Sequence, residues 1–213
     1  MNKIYVFSGL GVDKRVFMNI DFTGLTVEFI DWIPPLKDES LKNYAKRISE
    51  KITSENPILM GLSFGGMVAV EISKIIKTKK VILIASAKNK NELSKSYRIA
   101  RILKMNKLVP NSILKISNFI TNWLFGIESE SERKLLKTIM KETDNQFLTW
   151  AINEILNWKN EENPENVIHI HGSKDRLIPI KNVKATFIIE NTGHFMTINR
   201  AKEIETIIKN ACK

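Results

Sequence analysis

Six short runs rich in β-branched and aromatic residues recur along the chain, each closed by a turn signal: Lys3 to Phe7, Thr26 to Ile30, Ile58 to Met60, Val81 to Ile84, Val167 to Ile170 and Thr186 to Ile189. Between the early runs the apolar spacing changes to a helical period. It does so over Leu41 to Ile52, behind the capping candidate Ser40, and over Met67 to Ile76, behind Gly65-Gly66. A last helical pattern covers Ala201 to Ala211. This alternation predicts an α/β fold: a six-stranded, mostly parallel sheet with right-handed crossovers and helices on both faces.

One interval breaks the rhythm. From 88 to 160 no strand signal occurs, and amphipathic helical patterns follow one another, the last over Phe147 to Trp158. Connections in α/β units usually run about 2–6 residues. The interval is therefore expected to be a helical lid, 88–160, inserted in a core made of 1–87 and 161–213. Within it Lys95, Arg98, Arg101, Lys104 and Lys107 recur every third residue, while Ile99, Ile102, Leu103 and Leu108 occupy another face. This predicts a basic amphipathic helix over Ser94 to Leu108, read most plainly as a lid helix with its apolar side on the core. Steering of an anionic substrate and contact with an anionic membrane surface are the alternatives. Phe119, Trp123, Phe125, Phe147, Trp150 and Trp158 are expected to pack as lid core, some of them lining an apolar acyl pocket.

Composition narrows the class. A chain of 213 residues with 43% hydrophobic side chains can bury one sizeable core. Cys212, the single cysteine, excludes an internal disulfide framework and a multi-cysteine metal site, and favours a reducing compartment. The apolar run Ile4 to Phe7 is too short for a signal peptide, and nowhere do about 18 uninterrupted apolar residues occur. A soluble, cytoplasmic protein is expected. Lysine and arginine (33) exceed aspartate and glutamate (23), giving +10. That favours acidic partners through the long-range field, although lysine-rich residue usage accounts for it as well. No nucleic-acid partner is expected.

The chemistry gathers at Gly61-Leu62-Ser63-Phe64-Gly65-Gly66, between the strand ending at Met60 and the helix beginning near Met67. In so tight a strand-to-helix turn, the positions two before and two after the central residue must lack side chains to let strand and helix approach. Gly61 and Gly65 meet that need. Ser63 is thereby raised above the carboxyl edge of the sheet, where the Phe64 N–H can serve as an oxyanion donor.

A serine needs a base to become a nucleophile at neutral pH. The candidates are His169, His171 and His194. His169 and His171 alternate on one face of a strand, and His169 at least reads as a packing residue. His194 follows the last strand in Asn191-Thr192-Gly193-His194-Phe195-Met196, a loop opening at the same edge as Ser63. The strand before it ends at Gly172 and leads through Ser173-Lys174 to Asp175, in a loop closed by Pro179. The order Ser63, Asp175, His194 is that of a nucleophile, acid and base triad. Asp31 and Asp144 are the rival carboxylates. Phe7-Ser8-Gly9-Leu10-Gly11 after the first strand offers the Leu10 N–H as second oxyanion donor, and Asp13 is expected to cap the next helix.

These residues resemble the α/β-hydrolase superfamily, through Gly61-Leu62-Ser63-Phe64-Gly65-Gly66, His171-Gly172-Ser173-Lys174-Asp175 and Gly193-His194. Within it the chain looks like the small, lidded, esterase-like bacterial serine hydrolases. The resemblance implies acyl transfer to water from an ester or thioester of a small molecule, with no metal or organic cofactor. Two departures stand out. Ser8-Gly9 replaces the common His-Gly opening of the oxyanion loop, and the chain begins directly with the strand before it. The sheet is therefore expected to lack the two antiparallel strands that many members carry at the N-terminus. A lyase or synthase using the same triad, and a non-catalytic binding protein of the same fold, stay open as alternatives.

Overall fold

The computed structural model describes residues 2–94 and 119–212. The predicted basic helix over 94–108 lies outside them except for Ser94. Six parallel strands form one sheet in the order β2-β1-β3-β4-β5-β6: β1 (Ile4–Phe7), β2 (Val27–Phe29), β3 (Ile58–Leu62), β4 (Lys80–Ile84), β5 (Val167–Gly172) and β6 (Phe187–Ile189). Each coincides with a predicted run to within two residues. From β1 the chain steps outward to β2 and then crosses back to β3 on the other side of β1. That reversal opens a crevice at the carboxyl ends of β1 and β3, where ligands of open α/β sheets bind.

The sheet is covered on both faces. Ile4, Val6, Met60, Ile82, Ile84 and Ile170 point into one core, and Tyr5, Phe7, Leu59, Val81 and Leu83 into the other. Burying each such aliphatic or aromatic side chain contributes roughly 1.5–3 kcal/mol, so the strand register is strongly specified. The second core is closed by α1 (Leu41–Ser49) and α2 (Phe64–Ser73), the first by α4 (Glu130–Glu142), α6 (Met196–Asn199) and α7 (Ala201–Cys212). Ser40 caps α1 by accepting from Asn43 N–H. Ser129 caps α4 by accepting from Glu132 N–H, and the Glu132 carboxylate accepts from the N–H of Glu128, one residue before the cap, so both ends of this bond pair start the helix where the polar run lies.

Two expectations need correction. α2 does not start near Met67 but directly after Ser63, and it ends at Ser73. Gly65 and Gly66 are poor helix formers, yet packing overrides propensity here, because nearly every residue of α2 is buried. The aromatic residues of the insertion also divide. Phe147 and Trp158 are buried, but Phe119 and Trp123 on α3 (Phe119–Phe125) are 83% and 52% exposed. A seven-residue helix turns one stripe inward. In α3 that stripe holds Leu124 and Phe125, while Trp123 lies outward under the Arg176 guanidinium, 4.5 Å from the ring centre.

The tightest backbone approaches set the position of the α2 N-terminus. A Cβ on Gly65 would stand 2.2 Å from the Ser8 carbonyl oxygen and 2.4 Å from that of Phe7, and one on Gly61 would stand 2.3 Å from the Gly65 oxygen. Gly65→Ala should therefore lower stability by about 1–3 kcal/mol, a fall in Tm of roughly 2–12 °C for a domain of this size. Thermal unfolding followed by circular dichroism checks this, and an unchanged Tm would mean that the turn relaxes without cost.

Candidate active site

Ser63 sits between β3 and α2 with φ 51° and ψ −118°, a conformation that side-chain-bearing residues rarely adopt. Such strain costs about 1–3 kcal/mol and persists only where the surroundings over-determine it. Here Ser63 N–H donates to the Ile84 carbonyl at 2.9 Å, and the Ser86 hydroxyl donates to the Ser63 carbonyl at 2.6 Å. Gly66 and Met67 N–H also donate to that carbonyl, at 3.0 and 3.3 Å. With its backbone fixed on both sides, Ser63 presents its hydroxyl above the sheet edge.

His194 arrives from the loop after β6. The loop is drawn in by glycine contacts: a Cβ on Gly172 would stand 2.6 Å from the Thr192 carbonyl oxygen, and one on Gly193 would stand 2.9 Å from Gly126 Cα. Phe195 N–H donates to the Phe125 carbonyl at 2.9 Å, and the Phe125 ring meets the His194 imidazole edge-on at 5.7 Å. The result is a linear chain of contacts. His194 Nε2 is 2.8 Å from Ser63 Oγ, and His194 Nδ1 is 2.7 Å from Asp175 Oδ2. Because the carboxylate accepts, the imidazole proton resides on Nδ1 and the Nε2 lone pair faces the serine hydroxyl. Asp175 Oδ1 takes two further bonds, from Leu177 and Ile178 N–H, both at 2.9 Å.

The rival carboxylates stand elsewhere. Asp144 accepts from Phe147 N–H as the cap of α5 (Asn145–Asn157), and Asp31 is exposed. Asp13 caps the short 3₁₀ turn Lys14–Phe17 and binds Arg15. The N–H groups of Leu10 and Phe64 flank the same edge, and neither donates to a partner among the described residues. Phe64 opens α2, so its N–H has no intrahelical acceptor.

No family model and no curated protein matches the sequence. Solved structures do match over nearly the whole chain. The enol-lactonase from Burkholderia xenovorans superposes with a TM-score of 0.75 at 13% identity, over 99% of this chain and 91% of its own. An esterase from Exiguobacterium antarcticum gives 0.71 at 16% identity, over 100% and 92%. A lipase-esterase related protein from Clostridium acetobutylicum gives 0.71 at 18% identity, over 98% and 93%. The chain has the α/β-hydrolase fold.

Within this α/β-hydrolase fold, Ser63 and His194 open into a cavity of about 480 Å³. Gly9, Leu10 and Val12 form its wall on the β1 side. Leu124, Met140, Leu148, Ile152 and Leu156 form much of the rest. Apart from His194, no titratable side chain among the described residues lines it. No three His, Cys, Asp or Glu side chains group as metal ligands would, among the described residues. Nor is any described helix long and apolar enough to cross a membrane. Phe125 lines the cavity as the sequence allows, but its edge-on contact with His194 and the Gly126–Gly193 approach join distant segments and have no local signal.

The electrostatics favour an ionised acid beside neutral imidazoles. Burial opposes charge on Asp175, but His194, His171 and the Ile178 N–H together outweigh it and hold the carboxyl below its ordinary range. Burial, reinforced by His171 and Lys88 and opposed by the Ser86 backbone, keeps His169 well below the imidazole range. His171 is lowered too, first by burial, against the pull of Asp175. Both depressed imidazoles bind protons more readily in the unfolded chain. Their contribution to stability is therefore complete above about pH 6.5 and is lost as pH falls from there through their folded values. The Asp175 contribution disappears only at lower pH, below the ordinary carboxylate range. The urea midpoint should accordingly fall between pH 7 and pH 5. A midpoint that stays flat over this window would show that the two imidazoles titrate alike in the folded and the unfolded chain.

Proposed function

We propose that the chain is a serine hydrolase acting on carboxylic esters or thioesters with an apolar acyl group, with Ser63 as nucleophile, His194 as general base and Asp175 as its charge partner. The observation that carries this is the continuous contact from Asp175 Oδ2 through His194 to Ser63 Oγ, at 2.7 and 2.8 Å, ending on a strained serine that opens into an apolar cavity. A serine held in that way loses its proton to Nε2 as it attacks. The new Oγ–C bond converts the acyl carbonyl to a tetrahedral oxyanion, for which the N–H groups of Phe64 and Leu10 are the donors. Collapse of this intermediate expels the alcohol or thiol, which leaves with the proton held on His194. A water molecule then gives its proton to His194 and attacks the acyl-enzyme, and a second collapse frees the acid and restores Ser63.

The insertion fits a lid in this scheme. α3, α4 and α5 contribute Leu124, Met140 and Leu148 to the cavity wall, which gives these helices the task of excluding water and selecting the acyl group. The absence of lysine and arginine from the described lining favours neutral over anionic acyl groups. Removal of the nucleophile is the direct test. Ser63→Ala should keep its circular dichroism spectrum while turnover of a short-chain p-nitrophenyl ester falls by about 10⁶, leaving the small residue that binding and the oxyanion donors provide. Wild-type turnover in that variant would end the assignment.

A further inference from the structure

Behind the acid loop, β5 buries two imidazoles on one face, His169 and His171, both with zero exposure. Their rings meet edge to face at 5.2 Å, with His171 Nδ1 3.2 Å from His169 Nε2. At the far side, His171 Nε2 lies 2.7 Å from the Ile178 carbonyl and 3.5 Å from Asp175 Oδ2, the oxygen that also meets His194. An apolar pair would fill this part of the core without any demand for hydrogen bonds.

The acceptors assign the hydrogens. A carbonyl oxygen only accepts, so His171 carries its proton on Nε2. In the neutral ring Nδ1 is then bare, and the proton between the two rings belongs to His169 Nε2. That leaves His169 Nδ1 as a buried acceptor with no donor among the described residues; the Ser86 backbone acts on the ring without closing a hydrogen bond to it. Such atoms are rare in folded proteins. What this one secures is the tautomer of His171. Ile178 is in turn held at both ends: its carbonyl takes the His171 proton, and its N–H donates to Asp175 Oδ1 at 2.9 Å. His171, Ile178 and Asp175 thus close a ring around the carboxylate. The charged or titratable groups acting on the histidine pair are Asp175, His194, Glu92 and Lys88. The last two pair with each other at 3.3 Å.

We propose that His171 is a positioning residue: it locks the loop that presents Asp175 to His194, and His169 sets its tautomer. This rests on Asp175 and His194 forming the catalytic pair described above. The loop between Gly172 and Ile178 has no regular structure of its own, so the carboxylate is only as well placed as the bonds that hold it. Misplacing a reacting constellation by an ångström can lower turnover by about 10²-fold.

His171→Leu and His171→Gln separate positioning from filling, since glutamine can return an N–H toward Ile178 and leucine cannot. The leucine variant should lose about 10²-fold in kcat on a short p-nitrophenyl ester with KM nearly unchanged, and the glutamine variant should recover much of it. A readout free of substrate runs beside this: the proton on His194 Nδ1, bonded to Asp175, should give a downfield NMR resonance that weakens in His171→Leu and returns in His171→Gln. If no ester is turned over even by the wild type, the hydrolase reading fails while this resonance still decides the role of His171. Should the leucine variant not fold, ¹⁵N-histidine spectra of the wild type decide instead, with Nε2–H tautomers expected at both His169 and His171. A folded leucine variant with wild-type kcat and an unchanged resonance, or an Nδ1–H tautomer at His171, overturns the proposal.

Discussion

The first turn of α2 lies against the carbonyls that end β1, at a separation that leaves no room for a Cβ on Gly65. From this contact the geometry of the sheet edge follows. Because α2 can come so close, Ser63 must turn through a positive φ between β3 and the helix, and its hydroxyl is pushed above the edge rather than into either core. The Gly9-Leu10-Gly11 loop, which follows β1, lies beside the serine and lines the same cavity. Strain at Ser63 is tolerated because β4 holds its backbone through Ile84 and the segment after it through Ser86.

A second constraint is electrostatic. Asp175 is buried, and a buried carboxylate stays ionised only when bonds and charges replace its lost water. Both of its oxygens are engaged: two backbone N–H groups on one, the His194 imidazole on the other. Such a carboxylate keeps His194 in the tautomer that turns its free lone pair toward Ser63. The cavity in front of the serine is apolar over most of its described lining.

The strands were legible because each is a short apolar run rich in β-branched and aromatic residues, and the four inner ones, β1, β3, β4 and β5, are largely buried on both faces, a pattern that local residue choice carries by itself. Ser63, Asp175 and His194 were legible as candidates for a different reason: each stands in the loop after its own strand, and parallel strands bring such loops to one edge. Structure that depends on two distant segments was not legible. The apolar pattern puts the start of α2 near Met67, three residues late, since the packing of Gly65 against β1 that starts the helix earlier has no local signal. Phe119 and Trp123 were expected inside because nothing local tells which stripe of α3 faces the cavity. The meeting of Gly126 with Gly193, which draws Phe125 to the His194 ring, joins residues far apart in the chain and leaves no local periodicity. His171 read as one of two alternating strand histidines, because its bond to Ile178 forms only when the acid loop folds back.

The central claim is that Ser63 is activated by its partners rather than being an ordinary surface hydroxyl. Treatment of the wild-type protein with a fluorophosphonate, followed by peptide mass mapping, tests this without knowledge of the natural substrate. The account predicts one modified peptide, carrying the label on Ser63, and its disappearance in His194→Ala. Labelling elsewhere with Ser63 unmodified, or equal labelling of Ser63 with and without His194, would contradict it.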